Sequence, residues 1–385
     1  MTQSADIGAG TGTTASASNP VAGAASNALS STVEFGLDTF GDVTATPEGG
    51  LVSQAQVIRN VVEEGVLADQ VGLSFFGVGE HHREDFAVSA PDVVLAAVAA
   101  RTSGIHLGSA VTVLSSDDPV RVFQRFSTLD AISNGRAEVI LGRGSFTESF
   151  PLFGYNLADY ERLFEEKLEL FAELIKEKPV TWSGTTRASL TNQSVYPITE
   201  SGSLRTWVGV GGSPESVVRT ASYGLPMMLA IIGGSPIRFE PYVDLYKRAL
   251  AQLETPLLPI GMHSPGYVAD TDVDARNEFF PHYQAMHARI GASRGWPPLT
   301  RLQFDAEASP EGALYVGSPE TVAKKIARNV AALGVNRFDM KYGAGTLSHE
   351  SMMKNIELYG TRVVPMVKQL LAEAAEAVVP AEAAG

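Results

Sequence analysis

The chain of 385 residues contains no cysteine. That removes disulfides, thiolate metal centres, iron–sulfur clusters and cysteine nucleophiles together, and says little about compartment. Basic residues are also scarce: 29 Lys and Arg stand against 43 Asp and Glu, for a formal net charge of −14. A duplex-binding surface needs clustered cations to displace counterions. No basic run occurs, so neither nucleic acid nor anionic membrane is an expected partner. The acidic balance reads as a solvated surface that aids solubility. Long apolar runs are missing too, with nothing near the roughly 18 consecutive residues a membrane span needs. The first basic residue is Arg59 and no continuous apolar core precedes it. A secretory signal has both features, so a cytoplasmic location is expected.

Large apolar side chains are sparse at the start. Residues 1–32 offer only Met1, Ile7, Val21 and Leu29 among Gly, Ala, Ser, Thr and Asn, too little burial to offset chain entropy, which predicts a disordered tail. Residues 378–385 read as a flexible C-terminal tail. The hydrophobic share of 44% and charged share of 19% are otherwise those of a soluble globular protein. Residues 33–377 are expected to form one domain, since a barrel with its helical shell takes about 250 residues and more with insertions.

From Val33 onward short β-rich runs alternate with helical ones. Strands are predicted at Val33–Phe40, Ser74–Gly79, Ile105–Leu114, Ala137–Leu141, Trp207–Val210, Met227–Ile232, Leu258–Tyr267 and Arg337–Lys341. Helices are predicted at Gln54–Gln70, Pro91–Arg101, Pro119–Ser133, Tyr160–Lys178, Pro214–Tyr223, Phe239–Leu253, Val273–Arg289 and Ser318–Leu333. In Tyr160–Lys178 the residues Phe164, Leu168, Phe171 and Ile175 share one face. Residues Val180–Ser203 read as an extra hairpin and Gly291–Gly312 as irregular. A closing helical region spans Glu350–Ala377, where Pro365 should kink or divide it. Eight β/α alternations favour a parallel (β/α)₈ TIM barrel with insertions, because parallel strands need crossover helices. A doubly wound open sheet has the same local pattern.

In a barrel, chemistry collects where strands end. After the second strand stands Gly79-Glu80-His81-His82-Arg83-Glu84-Asp85, the densest polar cluster in the chain. Alternation along the strand lets at most one of the two histidines face a pocket. That residue is a candidate proton shuttle or hydrogen-bond donor. The cluster also admits a structural role, and a metal role in which Glu80, His81 and His82 ligate, although no spaced partner motif exists. After the fourth strand, Gly142-Arg143-Gly144-Ser145 sets a guanidinium suited to phosphate or to an ordinary carboxylate pair. The fifth strand runs into Gly211-Gly212-Ser213-Pro214-Glu215-Ser216, a capped helix start and a candidate anion site. Gly108–Leu114 carries small residues where a flat ligand could press. His263, on the seventh strand, is a further candidate for lining the pocket.

Several of these motifs occur together in order. Gly79-Glu80-His81-His82, Ala110-Val111-Thr112-Val113-Leu114, Asp118-Pro119-Val120-Arg121, Leu129-Asp130, Ser133-Asn134-Gly135-Arg136, Gly142-Arg143-Gly144, Trp207-Val208-Gly209, Gly211–Ser216 and Tyr223-Gly224-Leu225-Pro226 are similar to the bacterial-luciferase-like flavin monooxygenases, over about Val33 to Leu371. The resemblance implies a barrel that takes reduced FMN from a separate NAD(P)H-dependent flavin reductase. Oxygen then adds at the flavin C4a atom, and the peroxide attacks a small organic substrate. It implies that His81 acts as acid/base or holds the intermediate. It implies that Arg143, Gly212, Ser213 and Ser216 hold phosphate, with Arg162 as a second contact. Ala110, Val111, Thr112, Ser145 and Val210 are implied as further cofactor contacts, with a non-proline cis peptide at Ala110–Val111. Some luciferases carry a reactive Cys where Gly142 stands here, so that route to thiol modification is absent. The resemblance also implies a mobile lid over 291–312, with Trp296 or Phe304 closing on substrate; separately, the Ala-rich helix Leu95–Ala100 could pack against a twin subunit, so a homodimer is expected. Within the same superfamily stands a deazaflavin (F420) hydride-transfer enzyme. Outside it stand a flavin-binding protein without turnover and a metal-dependent hydrolase.

Overall fold

A computed structural model describes residues 33–46 and 49–378; the tail assignment for 1–32 falls outside them, as does that for 378–385 except at Val378, which ends the last helix. The elements start where the sequence provides caps. Gln54–Gln70 begins at Ser53, Pro119–Ser133 at Asp118, Pro214–Ser222 at Ser213 and Pro319–Leu333 at Ser318, each cap side chain accepting a first-turn N–H. Asn134 and Gly334 close two of these helices in the left-handed region.

Eight parallel strands close into a barrel. They are β1 (Glu34–Thr39), β2 (Phe75–Val78), β3 (His106–Val113), β4 (Ala137–Gly142), β7 (Arg205–Val210), β8 (Met227–Ala230), β9 (Ile260–Val268) and β11 (Arg337–Lys341). Pairing of β8 with β9 completes the ring, which excludes the open doubly wound sheet. β5 (Val180–Trp182) and β6 (Leu190–Gln193) form the separate antiparallel hairpin. β10 (Tyr315–Gly317) adds to the far end of β9; its three residues are too few to show a strand period. Among the described residues no helix is long and apolar enough to cross a membrane.

One expectation needs correction. Gly291–Gly312 is not irregular: the preceding helix runs from Asp272 through Arg294, and a second helix, Arg301–Glu307, starts at a Thr300–Gln303 capping box. The sequence gives this stretch no long apolar stripe, so local capping rather than periodicity marks its helix. The closing helical region is divided as Pro365 predicts, at a π-helical turn, Tyr359–Val363, just before it. Proline lacks the N–H the preceding turn would use, and a wider turn accommodates the loss.

Side chains alternate between the helical shell and the barrel interior. Leu37, Phe76, Val78, Val139, Leu141, Met227, Leu229, Met262 and Met340 join the large cluster under the helices. Phe75, Ala110, Ile140, Trp207 and Met228 form a smaller cluster inside the barrel. Below that cluster lies a charged layer from the first residues of several strands. Arg337, fully buried, donates to Glu138 Oε2 at 2.6 Å and to Asp339 at 2.9 Å, and lies 3.6 Å from the centre of the Phe75 ring. Trp207 Nε1 and Arg205 also donate to Glu138. Burial works against Glu138 as an anion, yet Arg337 and its other cationic neighbours hold its carboxyl down to about 2. This layer plugs the bottom of the barrel and leaves the other end for chemistry.

Removing one member of such a cluster leaves its partners charged and unpaired. Arg337→Met is expected to lower unfolding free energy by about 3–5 kcal/mol in a urea titration, the usual cost of breaking a buried pair from one side. A loss below about 1 kcal/mol would mean that the carboxylates are solvated or already neutral.

Candidate active site

The inward-facing positions at the C-terminal ends of the strands divide the mouth in two. On one half, β2, β3, β4, β7 and β8 present Gly77, Ala110, Gly142, Gly209 and Ala230. On the other half, β1, β9 and β11 present Asp38, His263 and Lys341. The strand registers tie the halves together, with Asp38 beside both Gly77 and Lys341, and Ala230 beside His263. The Ala110–Val111 peptide is cis, and pairing with β4 skips Val111. The Val111 side chain therefore leans inward over β4 and β7. A Cβ on Gly142 would stand 2.6 Å from Val111 Cγ2, and one on Gly209 3.6 Å from Val111 Cγ1. Gly142 is thus required by close approach, and the result is a shelf of small groups above Trp207.

Against this shelf stands the loop after β2. His81 enters a cage of rings, 4.5 Å from Phe40, 4.4 Å from Phe86 and 5.1 Å from Phe146. Its main-chain N–H is fixed to the Val88 carbonyl, and its Nδ1 is buried without a partner among the described residues. Burial, with Lys341, His82 and Arg83 nearby, lowers the imidazole to about 3. His81 is a neutral ring at ordinary pH. His82 turns to Glu80 Oε1 at 2.8 Å and packs its ring on Phe153. Glu80 Oε2 accepts the Val113 N–H at 2.9 Å, and the Glu80 N–H reaches the Val111 carbonyl. Glu80 thereby ties the β2 loop to the β3 end that carries the shelf. Among the described residues no group of three His, Asp or Glu side chains is placed to hold a metal ion.

The anion-binding candidates lie on β4, β7 and the helices after them. Gly212, with φ +104°, takes a conformation open to glycine. It lets the chain turn into Ser213, whose Oγ accepts the Ser216 N–H and bonds the Ser216 hydroxyl at 2.9 Å. Arg143 is held by the Glu161 carboxylate and lies over the Tyr160 ring, whose hydroxyl donates to the Gly144 carbonyl. Glu161 is 3.9 Å from Arg219, which belongs to the helix that Ser213 caps. A carboxylate thus sits between two guanidinium groups beside that helix.

Other sequence candidates are placed differently. Arg162 pairs with Asp159 on the exposed helix surface; one residue earlier, Glu161, equally exposed, meets Arg143 instead, because each helical step turns about 100°. The second guanidinium near Arg143 is Arg219, which the sequence reading missed. Thr112 is buried and donates to Ser109 Oγ at 2.8 Å. Val210 packs under the helices, so only its main chain reaches the mouth. Ser145 is exposed, and its carbonyl accepts from Arg294. Phe304 is not a closing aromatic: it is fully buried against Phe279, Phe280 and Tyr283. Trp296 is partly exposed at the helix end, where Arg294 spans from Trp296 to Phe146. Asp38, Phe40 and Lys341 also went unnoticed. They sit on strands whose short runs give no sign of which residues turn inward.

The sequence profile of the luciferase-like monooxygenases matches residues 39–337. The alkanal monooxygenase alpha chain of Photorhabdus laumondii is 22% identical over 373 residues, covering 86% of this chain and 98% of the relative. Among solved structures, the monooxygenase RslO1 of Streptomyces bottropensis superposes with a TM-score of 0.74 at 22% identity, over 86% of this chain and 99% of that one. The oxygenating component of the Pseudomonas putida 3,6-diketocamphane monooxygenase, in complex with FMN, gives 0.70 at 18%, over 87% and 98%. The F420-dependent tetrahydromethanopterin reductase of Methanopyrus kandleri gives 0.64 at 19%, over 87% and 99%. At these identities the structural likeness establishes the fold.

The His81 environment has a consequence for acid stability. In the unfolded chain the imidazole takes up a proton below about 6.5, whereas the folded ring resists until about 3. The unfolded state therefore binds more protons across that window, and stability should fall as pH drops through it. NMR of labelled histidine is expected to find the His81 ring neutral at pH 5, and His81→Asn should flatten the stability loss between pH 6.5 and 4. A ring that titrates near 6.5 would contradict the burial argument.

Proposed function

The chain belongs to the luciferase-like monooxygenase family, and from that premise we propose that it is a reduced-FMN-dependent monooxygenase of a small organic molecule, working in the cytoplasm beside a separate NAD(P)H-dependent flavin reductase. The divided mouth carries this reading. Gly77, Ala110, Gly142 and Gly209, with Val111 across them, leave a flat surface for an aromatic ring system, and the neutral His81 stands on the adjoining loop with a buried, unpartnered Nδ1. The donor set beside it suits a phosphate: the Arg143 fork and the capped start of Pro214–Ser222. Reduced FMN, when bound, supplies the electrons for oxygen activation.

The residues of the chain then have separable tasks. Arg143, with Ser213 and Ser216, holds the phosphate end in place of the Glu161 carboxylate. Val111 and the small groups support the ring, and Glu80 keeps their loop in register. His81, neutral at working pH, offers a hydrogen bond without a charge. Phe40, Phe86 and Phe146 surround that contact and exclude water, which strengthens it. The clasp of Arg294 on Ser145 and Phe146 spans the mouth as a lid would. A homodimer completes the reading, since the helix Pro91–Ala99 leaves Val93 exposed beside Ile132 of its neighbour.

Anaerobic titration with reduced FMN and with reduced riboflavin tests this. Wild type should prefer FMN, and Arg143→Ala should weaken FMN by about tenfold or more, the worth of a charge-assisted bond, while leaving riboflavin unchanged. Glu161→Gln should tighten FMN, because a competing carboxylate is gone. Equal affinity for the two flavins in wild type and Arg143→Ala would remove the phosphate site. Preferential binding of F420 would move the reading to hydride transfer.

A further inference from the structure

The charged half of the mouth is not needed to hold a flavin. Three of its groups face inward at the strand ends: Asp38, His263 and Lys341. His263 Nδ1 lies 2.7 Å from Asp38 Oδ2, which orients the ring, and the ring stacks on Phe40 at 6.4 Å with planes 18° apart. Phe40 thus neighbours both imidazoles, with His81 at 4.5 Å and His263 at 6.4 Å between ring centres. With Nδ1 committed to Asp38, Nε2 is the nitrogen left for the mouth. It has no protein partner among the described residues. A second observation comes from Asp38 itself: it is fully buried, and its Oδ1 has no hydrogen-bond partner among them. A buried carboxylate oxygen left bare is costly unless water or a ligand satisfies it.

On the proposed flavin reading, we infer that His263, oriented by Asp38, is a further catalytic residue of this site, whose Nε2 donates a hydrogen bond and at turnover a proton to an oxygen atom of the substrate. The groups facing the pair come from β1, β11 and the β2 loop. Asp38, Asp42 and Asp339 are acidic, Lys341 is basic and bonded to Asp42 at 3.0 Å, and His81 is neutral. Three carboxylates against one ammonium leave these surroundings net negative, so a full anion is disfavoured there, whereas a neutral oxygen acceptor gains the Nε2–H. The rings of Phe40, Phe86 and Phe146 supply the apolar wall. Burial opposes a charge on His263, but Asp38 beside it raises the imidazole above its ordinary value. The two imidazoles are therefore shifted in opposite directions, the pattern expected of a divided acid–base site. In the transfer the Nε2–H bond breaks and its electron pair stays on the ring as an O–H bond forms on the substrate. The ring becomes neutral, Asp38 keeps its charge, and solvent returns the proton.

Histidine-labelled full-length protein, titrated with cyclohexanone and separately with methylcyclohexane, tests the inference without turnover. Cyclohexanone should shift the His263 Nε2 resonance saturably and methylcyclohexane should not. His263→Asn should weaken cyclohexanone about three- to tenfold, as expected for loss of one hydrogen bond. Asp38→Asn should lower the His263 titration midpoint and leave FMN affinity unchanged, which a purely structural role for Asp38 would not do. The inference is overturned by probes that act alike, by no shift with cyclohexanone, or by an unmoved midpoint in Asp38→Asn. Failure of wild type to bind FMN would sink the cofactor reading and leave the carbonyl discrimination standing, so the two failures are distinguishable.

Discussion

The mouth depends on one close approach, that of Val111 to the backbone of β4 and β7. Glycine at 142 and 209 lets that side chain lie across the barrel, with Trp207 and Met228 filling the interior below. A methyl group at 142 would fall inside the contact distance of Val111, so the shelf exists only because those strands carry almost nothing inward at their ends. The bare half on β2, β3, β4, β7 and β8 and the charged half on β1, β9 and β11 follow from it. The arrangement suits a flat cofactor on one side and a polar contact to substrate on the other.

Charge is managed in two layers. At the bottom, Arg337, Glu138 and Asp339 compensate one another away from water, where such groups persist only in mutual contact. At the top, Asp38 holds His263 while His81 stays neutral within its rings. Phe40 neighbours both histidines, and their surroundings shift the two imidazoles in opposite directions.

Much of the fold was legible because its signals are local. Gln54–Gln70, Pro119–Ser133 and Arg337–Lys341 end where their periodicity and capping residues say they should. The barrel followed from eight strand–helix alternations, and the motif likeness pointed to the family. Pairings across the ring were not legible: Asp38 and His263 are 225 positions apart, Glu138 and Arg337 199. A strand of five or six residues does not announce which alternate set faces inward until its register is known. At Arg162 a one-residue offset on the helix changes the neighbour, so that Glu161 rather than Arg162 meets Arg143. Arg219, Asp38 and Lys341 belong to no local motif, and only closure of the barrel brings them to the site.

The most direct measurement is a crystal structure of the protein grown with reduced FMN under anaerobic conditions. The account predicts the isoalloxazine against Val111, between Ala110 and Gly209, with the phosphate bonded to Arg143 and to the start of Pro214–Ser222. It also predicts Glu161 displaced from the guanidinium. A ring lying over Asp38 and Lys341, or a phosphate elsewhere with Arg143 still bound to Glu161, would contradict it.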